Sequence, residues 1–315
     1  MADIKTVATR AGYGEALVEL GSIRDDFLVM DADLAAATQT GKFKAAFPDR
    51  FYNCGIAEQN MMSIAAGIAA TGRRVIVSSF AMFASGRAFE QIRNSICYPN
   101  LPVIIGATHG GISVGEDGAT HQCNEDIALM RTLPNMTVIN PADAVEAKKA
   151  VAAALEHDGP VYMRFGRYAV PVIFDDSYEF KIGKANILRD GKDVTLIASG
   201  LMVNEALGAC ELLKAQGISA RVINMATIKP LDDAAVLAAA KDTGAIVTAE
   251  EHSVIGGLGS AVSELVCENC PVPVVKVGVY DKFGYSGPAA KLLDEFGLRA
   301  VNIAEKAKTA IALKK

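Results

Sequence analysis

Glu58 is the lone acid in FYNCGIAEQNMMSIAAGIAATG, residues 51–72. Ionising a carboxylate away from water is costly, so such groups are paired, hydrogen-bonded or protonated. Two roles suit it. A helix entered through Ile56-Ala57 would put Glu58 in its first turn, where the helix dipole favours negative charge. The other role is a functional acid that keeps a proton in a dry site. The segment 107–122, ATHGGISVGEDGATHQ, holds two of the chain's four histidines, His109 and His121, with Thr108, Glu116, Asp117 and Thr120. Its glycines let backbone approach a ligand closely. His109, Asp117 and His121 are also metal-ligand types, although no spacing rule fixes a metal site among them. Phe80 and Phe83 in SSFAMFASGR share a face, suited to core packing or to stacking on a planar ring. Arg164 and Arg167 in PVYMRFGR suit a bidentate grip on an anion, and Arg10 in ATRAGYG is a further lone cation. A surface ion pair is the competing role for each arginine.

These side chains need a framework. Short apolar runs at Phe27–Met30, Val75–Val77, Leu101–Ile105, Thr137–Ile139 and Val161–Met163 predict buried parallel strands. Segments of helical period lie between or beside them: Thr6–Ile23, Ala57–Ala70, Ala81–Ser95, Asn124–Thr132 and Ala142–Glu156. Such alternation predicts an α/β fold, a parallel sheet with helices on both faces. Ligands gather at the carboxyl ends of strands in such sheets, where the loop 107–122 falls. Residues 168–192 break the rhythm and predict a linker or hairpin between domains. Alternation then resumes with strands Val194–Ala198, Ala220–Asn224, Ala245–Thr248 and Val272–Val277. Helices Val203–Gln216, Asp233–Lys241 and Leu258–Cys267 accompany them, followed by two more. The expected division is a first domain over 1–170, a linker over 171–192 and a smaller α/β domain over 193–315.

The totals agree with this plan. The 315 residues are 51% hydrophobic and 21% charged with a net charge of −5, a composition able to bury two cores. No Lys/Arg stripe suggests a nucleic-acid partner. The N-terminal MADIKTVATR has no apolar signal core, and the long uncharged stretch Asn94–Gly115 is broken by Pro99, Pro102 and glycines. A cytoplasmic protein without a membrane span is expected. Cys267 and Cys270 of CENC lack the second pair or histidines of a zinc site, so the six cysteines are expected to be structural, reduced thiols. GGLGS (256–260) lacks the rest of a phosphate-loop pattern and predicts a tight turn.

Taken together, DADLA (31–35), FYNCGIAEQNM (51–61), SSFAMF (78–83), THGGISVGEDGATHQ (108–122), PVYMRFGR (160–167), EEHSVIGGLGSAV (250–262) and YDKFGYSG (280–287) resemble the C-terminal half of a transketolase, carried as a separate subunit. The resemblance runs over essentially the whole chain. It implies a pyrimidine-binding domain of the thiamine-diphosphate fold, followed by a transketolase C-terminal domain. Glu58 then matches the glutamate that hydrogen-bonds the cofactor's pyrimidine ring and activates it. Phe80 and Phe83 match aromatic positions lining that ring's pocket, and Gly86 falls where many transketolases carry a third. Asp117 matches an acid that binds a sugar hydroxyl, and His121 a histidine near the reacting carbonyl. Arg10, His109 and Arg167 match the set that grips the sugar phosphate. Ala37 stands in place of a serine of that set, so a phosphate held differently or a sulfonate is an alternative terminal anion; Gly110 stands in place of an acid found in many homologues, which leaves the exact sugar open. The family holds diphosphate and Mg²⁺ through a GDG motif on another domain, and no GDG occurs here. The resemblance therefore implies thiamine diphosphate and Mg²⁺ as cofactors, an N-terminal partner subunit holding the metal, and an α2β2 assembly acting on sugar phosphates. Within the superfamily, a deoxyxylulose-phosphate-synthase-like activity or a 2-oxo-acid dehydrogenase β-type subunit are rivals. Outside it stand a non-catalytic assembly scaffold and a metal hydrolase built on His109, Asp117 and His121.

Overall fold

The computed structural model describes residues 5–314. The chain opens with strand β1 (Thr6–Ala8), helix α1 (Thr9–Ile23), β2 (Phe27–Asp31), short helices α2 (Ala35–Thr38) and α3 (Gly41–Ala46), β3 (Phe51–Asn53), α4 (Glu58–Ala69) and β4 (Arg74–Phe80). Next come α5 (Phe89–Gln91) between two π-helical turns, β5 (Val103–Thr108), α6 (Asp126–Arg131), β6 (Thr137–Ile139), α7 (Ala144–Glu156), β7 (Val161–Phe165) and β8 (Ala169–Pro171). The rest runs β9 (Asn186–Arg189), β10 (Val194–Ala198), α8 (Met202–Lys214), β11 (Ala220–Asn224), β12 (Thr227–Lys229), α9 (Asp233–Thr243), β13 (Ile246–Ser253), α10 (Leu258–Asn269), β14 (Val274–Val279), α11 (Ala289–Glu295) and α12 (Ala300–Ala312).

A seven-stranded sheet has the order β12-β6-β7-β5-β4-β2-β3 and a five-stranded sheet the order β14-β13-β10-β11-β9. Both are parallel except at one edge, where β12 and β9 run antiparallel to their neighbours. Strand alternation feeds a core on each side of each sheet. In β4, Val75 and Val77 pack into one cluster with Met61 and Ala65 of α4, while Ile76 joins Tyr13 and Leu17 of α1 on the other face. In β10, Leu196 faces α8 and α12 while Ile197 faces α9 and α10. Burial on both faces is why these strands read as unbroken apolar runs.

Three expectations need refinement. The predicted helix Thr6–Ile23 begins only at Thr9, because residues 6–8 pair with β8 as a two-stranded ribbon. The segment 168–192, expected as a linker or hairpin, contributes β8 to that ribbon and β9 to the edge of the second sheet. The predicted helix Ala81–Ser95 is interrupted by π-helical turns at Phe83–Arg87 and Ile92–Cys97. Such turns leave a residue out of the α ladder and are frequent at functional sites. β12, which no sequence signal singled out, completes the first sheet although it follows β11 of the second. Cys267 lies in the last turn of α10 and Cys270 just beyond it, and the six cysteines are free thiols. Among the described residues no helix is long and apolar enough to cross a membrane.

Candidate active site

The carboxyl ends of β3, β4 and β5 lead into the segments that carry most of the candidate residues. Glu58 opens α4 and is only 2% exposed. Ser79, near the end of β4, donates its hydroxyl to Glu58 Oε1 at 3.5 Å, and the Arg87 guanidinium meets Oε2 at 3.4 Å. Glu58 lies in a helix's first turn and is buried beside a cation. Both contacts are long for charge-assisted bonds, so the carboxyl keeps capacity for a further partner.

Rings gather next to it. Arg87 lies 4.8 Å from the centroid of Phe83, and Phe83 stacks on Phe80 at 5.8 Å with 19° between planes. His109 stacks on Phe80 at 3.8 Å, and His121 meets Phe83 edge-on at 5.3 Å. Phe80 ends β4, whereas Phe83 opens a π-helical turn. Four candidates from two separate segments thus form one aromatic cluster, joined to Glu58 through Arg87.

His109 follows directly on β5 with φ 62°, a conformation a non-glycine residue adopts only when its surroundings enforce it. Its Nε2 lies 3.1 Å from Arg10 Nη1 and its Nδ1 2.8 Å from the Thr108 hydroxyl. An arginine has only donors, so Nε2 accepts and Nδ1 carries the proton. Burial, then the positive Arg10 and Arg167, push the His109 imidazole down from its usual 6.5 to about 3, so the ring is neutral. Arg10 also donates to the Ala37 carbonyl at 2.8 Å. The segment that carries this carbonyl is fastened by buried Asp31, which accepts from the Thr38 and Thr40 hydroxyls at 2.7 and 2.9 Å.

Arg167 and Asp117 come together with each other. Arg167 Nη1 donates to the Val114 carbonyl at 2.8 Å and meets Asp117 Oδ2 at 3.4 Å, with Glu116 at 3.8 Å. Arg164 is a correction: it is not free to grip an anion. It is 3% exposed, pairs with Asp126 at 2.8 Å, and donates to the carbonyls of Cys123 and Glu251 at 2.9 Å each. His121 Nδ1 lies 2.9 Å from the Thr120 hydroxyl. Among the described residues, no three His, Cys, Asp or Glu side chains converge as metal ligands, and Asp117 lies against Arg167 rather than with the two histidines.

Two sets of residues carry roles that the sequence did not show. Arg87 was visible in SSFAMFASGR, four positions after Phe83, yet only the fold brings it to Glu58. The EEHS run joins the two sheets: Glu250 accepts from the amides of Leu258 and Gly259 at the start of α10, and Glu251 accepts from the Ser113 amide in the loop 107–122. His252 Nε2 accepts from the Ala128 amide at 3.3 Å. Glu250 therefore occupies the amides of GGLGS that a phosphate would need, which leaves the tight turn. Burial pushes the Glu251 carboxyl up to about 7 against the pull of Arg164.

Comparison with known proteins agrees with this geometry. Residues 5–172 match the transketolase pyrimidine binding domain and residues 183–303 the transketolase C-terminal domain. A Methanocaldococcus jannaschii protein provisionally named a transketolase C-terminal section is 51% identical over 300 residues, 94% of each chain. The 6-deoxy-6-sulfo-D-fructose transketolase subunit SqwH of Clostridium sp. strain MSTE9 is 45% identical over 298 residues, covering 95% of this chain and 92% of its own. A split-gene transketolase solved as an inactive beta4 tetramer superposes with a TM-score of 0.91 at 51% identity, over 99% of this chain and 100% of that one. The chain belongs to the transketolase family and corresponds to the C-terminal subunit of its split members.

Proposed function

We propose that this chain is the C-terminal subunit of a thiamine-diphosphate-dependent transketolase. It moves a two-carbon ketol unit from a ketose phosphate to an aldose phosphate, in the cytoplasm, as half of an α2β2 assembly. The observation that carries this reading is a buried Glu58 joined through Arg87 to a ring cluster that includes both histidines of the loop 107–122.

The residues present fit the pyrimidine half of the cofactor. Glu58 has spare hydrogen-bonding capacity in a dry site, and Phe80 and Phe83 offer flat apolar faces. When bound, thiamine diphosphate supplies the carbon nucleophile that takes up the two-carbon unit. Glu58 would hold a proton against the pyrimidine ring nitrogen. His121 and Asp117 would bind sugar hydroxyls near the reacting carbon. Arg10, His109 and Arg167 would grip the terminal anion, with His109, neutral, orienting Arg10. An N-terminal subunit would hold the diphosphate and Mg²⁺, for which this chain carries no GDG motif.

A second donor class is favoured by one position. Ala37 stands where the family's phosphate site has a serine, so a ketose with a terminal sulfonate, as in the name of the Clostridium relative, belongs in the same assay.

The test is co-expression with an N-terminal transketolase subunit, followed by a donor and acceptor screen with thiamine diphosphate and Mg²⁺. Glu58→Gln should lower kcat by about 10²-fold or more while its melting curve stays cooperative. Near-normal turnover in Glu58→Gln, or ketol transfer by the isolated chain, would overturn the reading.

A further inference from the structure

β13 ends in Glu250-Glu251-His252-Ser253, on the second sheet, yet the Glu251 side chain crosses to the first. It is 4% exposed, and its Oε1 accepts from the Ser113 amide at 2.5 Å. Ser113 sits midway between His109 and Asp117 in the loop 107–122. Two glycines seal the contact. Gly111 has φ 87°, and a methyl there would overlap the Glu251 carboxyl. A methyl on Gly110 would come within 2.5 Å of Arg164 Nε. Arg164 in turn donates to the carbonyls of Glu251 and Cys123, and Cys123 accepts from the Gly111 amide at 2.8 Å. The turn leaving His109 is therefore packed against one carboxyl and one guanidinium, with no room to shift.

We infer that Glu251 is a positioning residue for ketol transfer: from the second sheet it fixes, through the Ser113 amide, the loop that presents His109 and Asp117 to the substrate. The inference rests on the function proposed above. It gives the C-terminal module a task in the site although the residues proposed there to touch substrate lie on the segments around the first sheet. A buried carboxyl accepting a backbone N–H is a strong and short-ranged constraint. Small displacements of substrate-binding groups cost large factors in rate or affinity.

The test uses the complex with its N-terminal subunit for kinetics and the full chain alone for hydrogen exchange. Wild-type turnover of a ketose phosphate comes first; its absence would count against the proposed function, not against the role of Glu251. With an active wild type, Glu251→Ala should raise KM for that donor about tenfold, the factor lost with one buried hydrogen bond, and change kcat less. Glu251→Gln, which keeps an acceptor oxygen, should restore KM to near wild type. In the chain alone, the Ser113 amide should exchange about tenfold faster in Glu251→Ala than in wild type. Should Glu251→Ala lose its cooperative melt, Glu251→Asp, with the charge kept and the reach shortened, decides by the same readouts. Unchanged exchange at Ser113 overturns the inference whatever the kinetics. An unchanged KM, or an equal loss in Glu251→Ala and Glu251→Gln, also overturns it.

Discussion

His109 is held by three constraints at once: a left-handed backbone, an arginine on Nε2 and a ring stacked on Phe80. A buried imidazole facing two guanidinium groups cannot take a proton without loss. In the unfolded chain it takes one near its ordinary 6.5, whereas in the folded chain it resists until about 3. Its contribution to stability is therefore complete above 6.5 and is given up as pH falls toward 3. Melting temperature should decline between about pH 7 and 4, and His109→Gln should flatten part of that slope. An identical slope in the variant would show that other groups set it. The same neutral state limits what His109 can do for an anion: it supplies shape and orients Arg10, while Arg10 supplies the charge.

At the scale of elements, the segment after β4 and the start of α10 each depend on an acid. The π-helical turn Phe83–Arg87 brings Arg87 to Glu58 and places its guanidinium over Phe83. An apolar pattern cannot tell a π turn from an α turn, so the broken helix was not legible in advance. At α10 the buried Glu250 carboxylate accepts from the Leu258 and Gly259 amides at 2.7 and 2.8 Å, and a Cβ at Gly257 would collide with it. Two amide bonds to one buried carboxyl satisfy the first orphan donors of this helix N-terminus. Glu250→Ala should cost about 2–3 kcal/mol by denaturant unfolding, and Glu250→Gln less, since one acceptor remains.

At the scale of the whole molecule, the two sheets are fastened by polar groups as well as by apolar packing. Arg164 binds Asp126, Cys123 and Glu251 together, and Tyr162 adds its hydroxyl to Asp126 at 2.8 Å. Arg164→Met would leave the Asp126 carboxylate buried with one partner fewer. It should cost about 3–5 kcal/mol of stability, measured by denaturant unfolding. Arg167, in the same PVYMRFGR segment, is 36% exposed, and its ion pairs are screened by water. Arg167→Met should cost less than about 1 kcal/mol. Comparable losses in the two variants would refute this division between a structural arginine and one available for a ligand. β12 adds a second fastening, since the chain returns from β11 to pair with β6 at the edge of the first sheet.

The sequence by itself determined most of the strand and helix alternation, the two α/β units and the segments that carry the candidate side chains. Those properties follow from local repeats of apolar side chains and from motifs contiguous in the chain. Only the tertiary structure decided which polar group each charge answers to: Arg87 for Glu58, Asp126 for Arg164, Ser113 for Glu251. A hydrogen-bond partner is chosen by which remote segments are brought together and by how much water is expelled between them. No repeat along a single strand or helix encodes that choice.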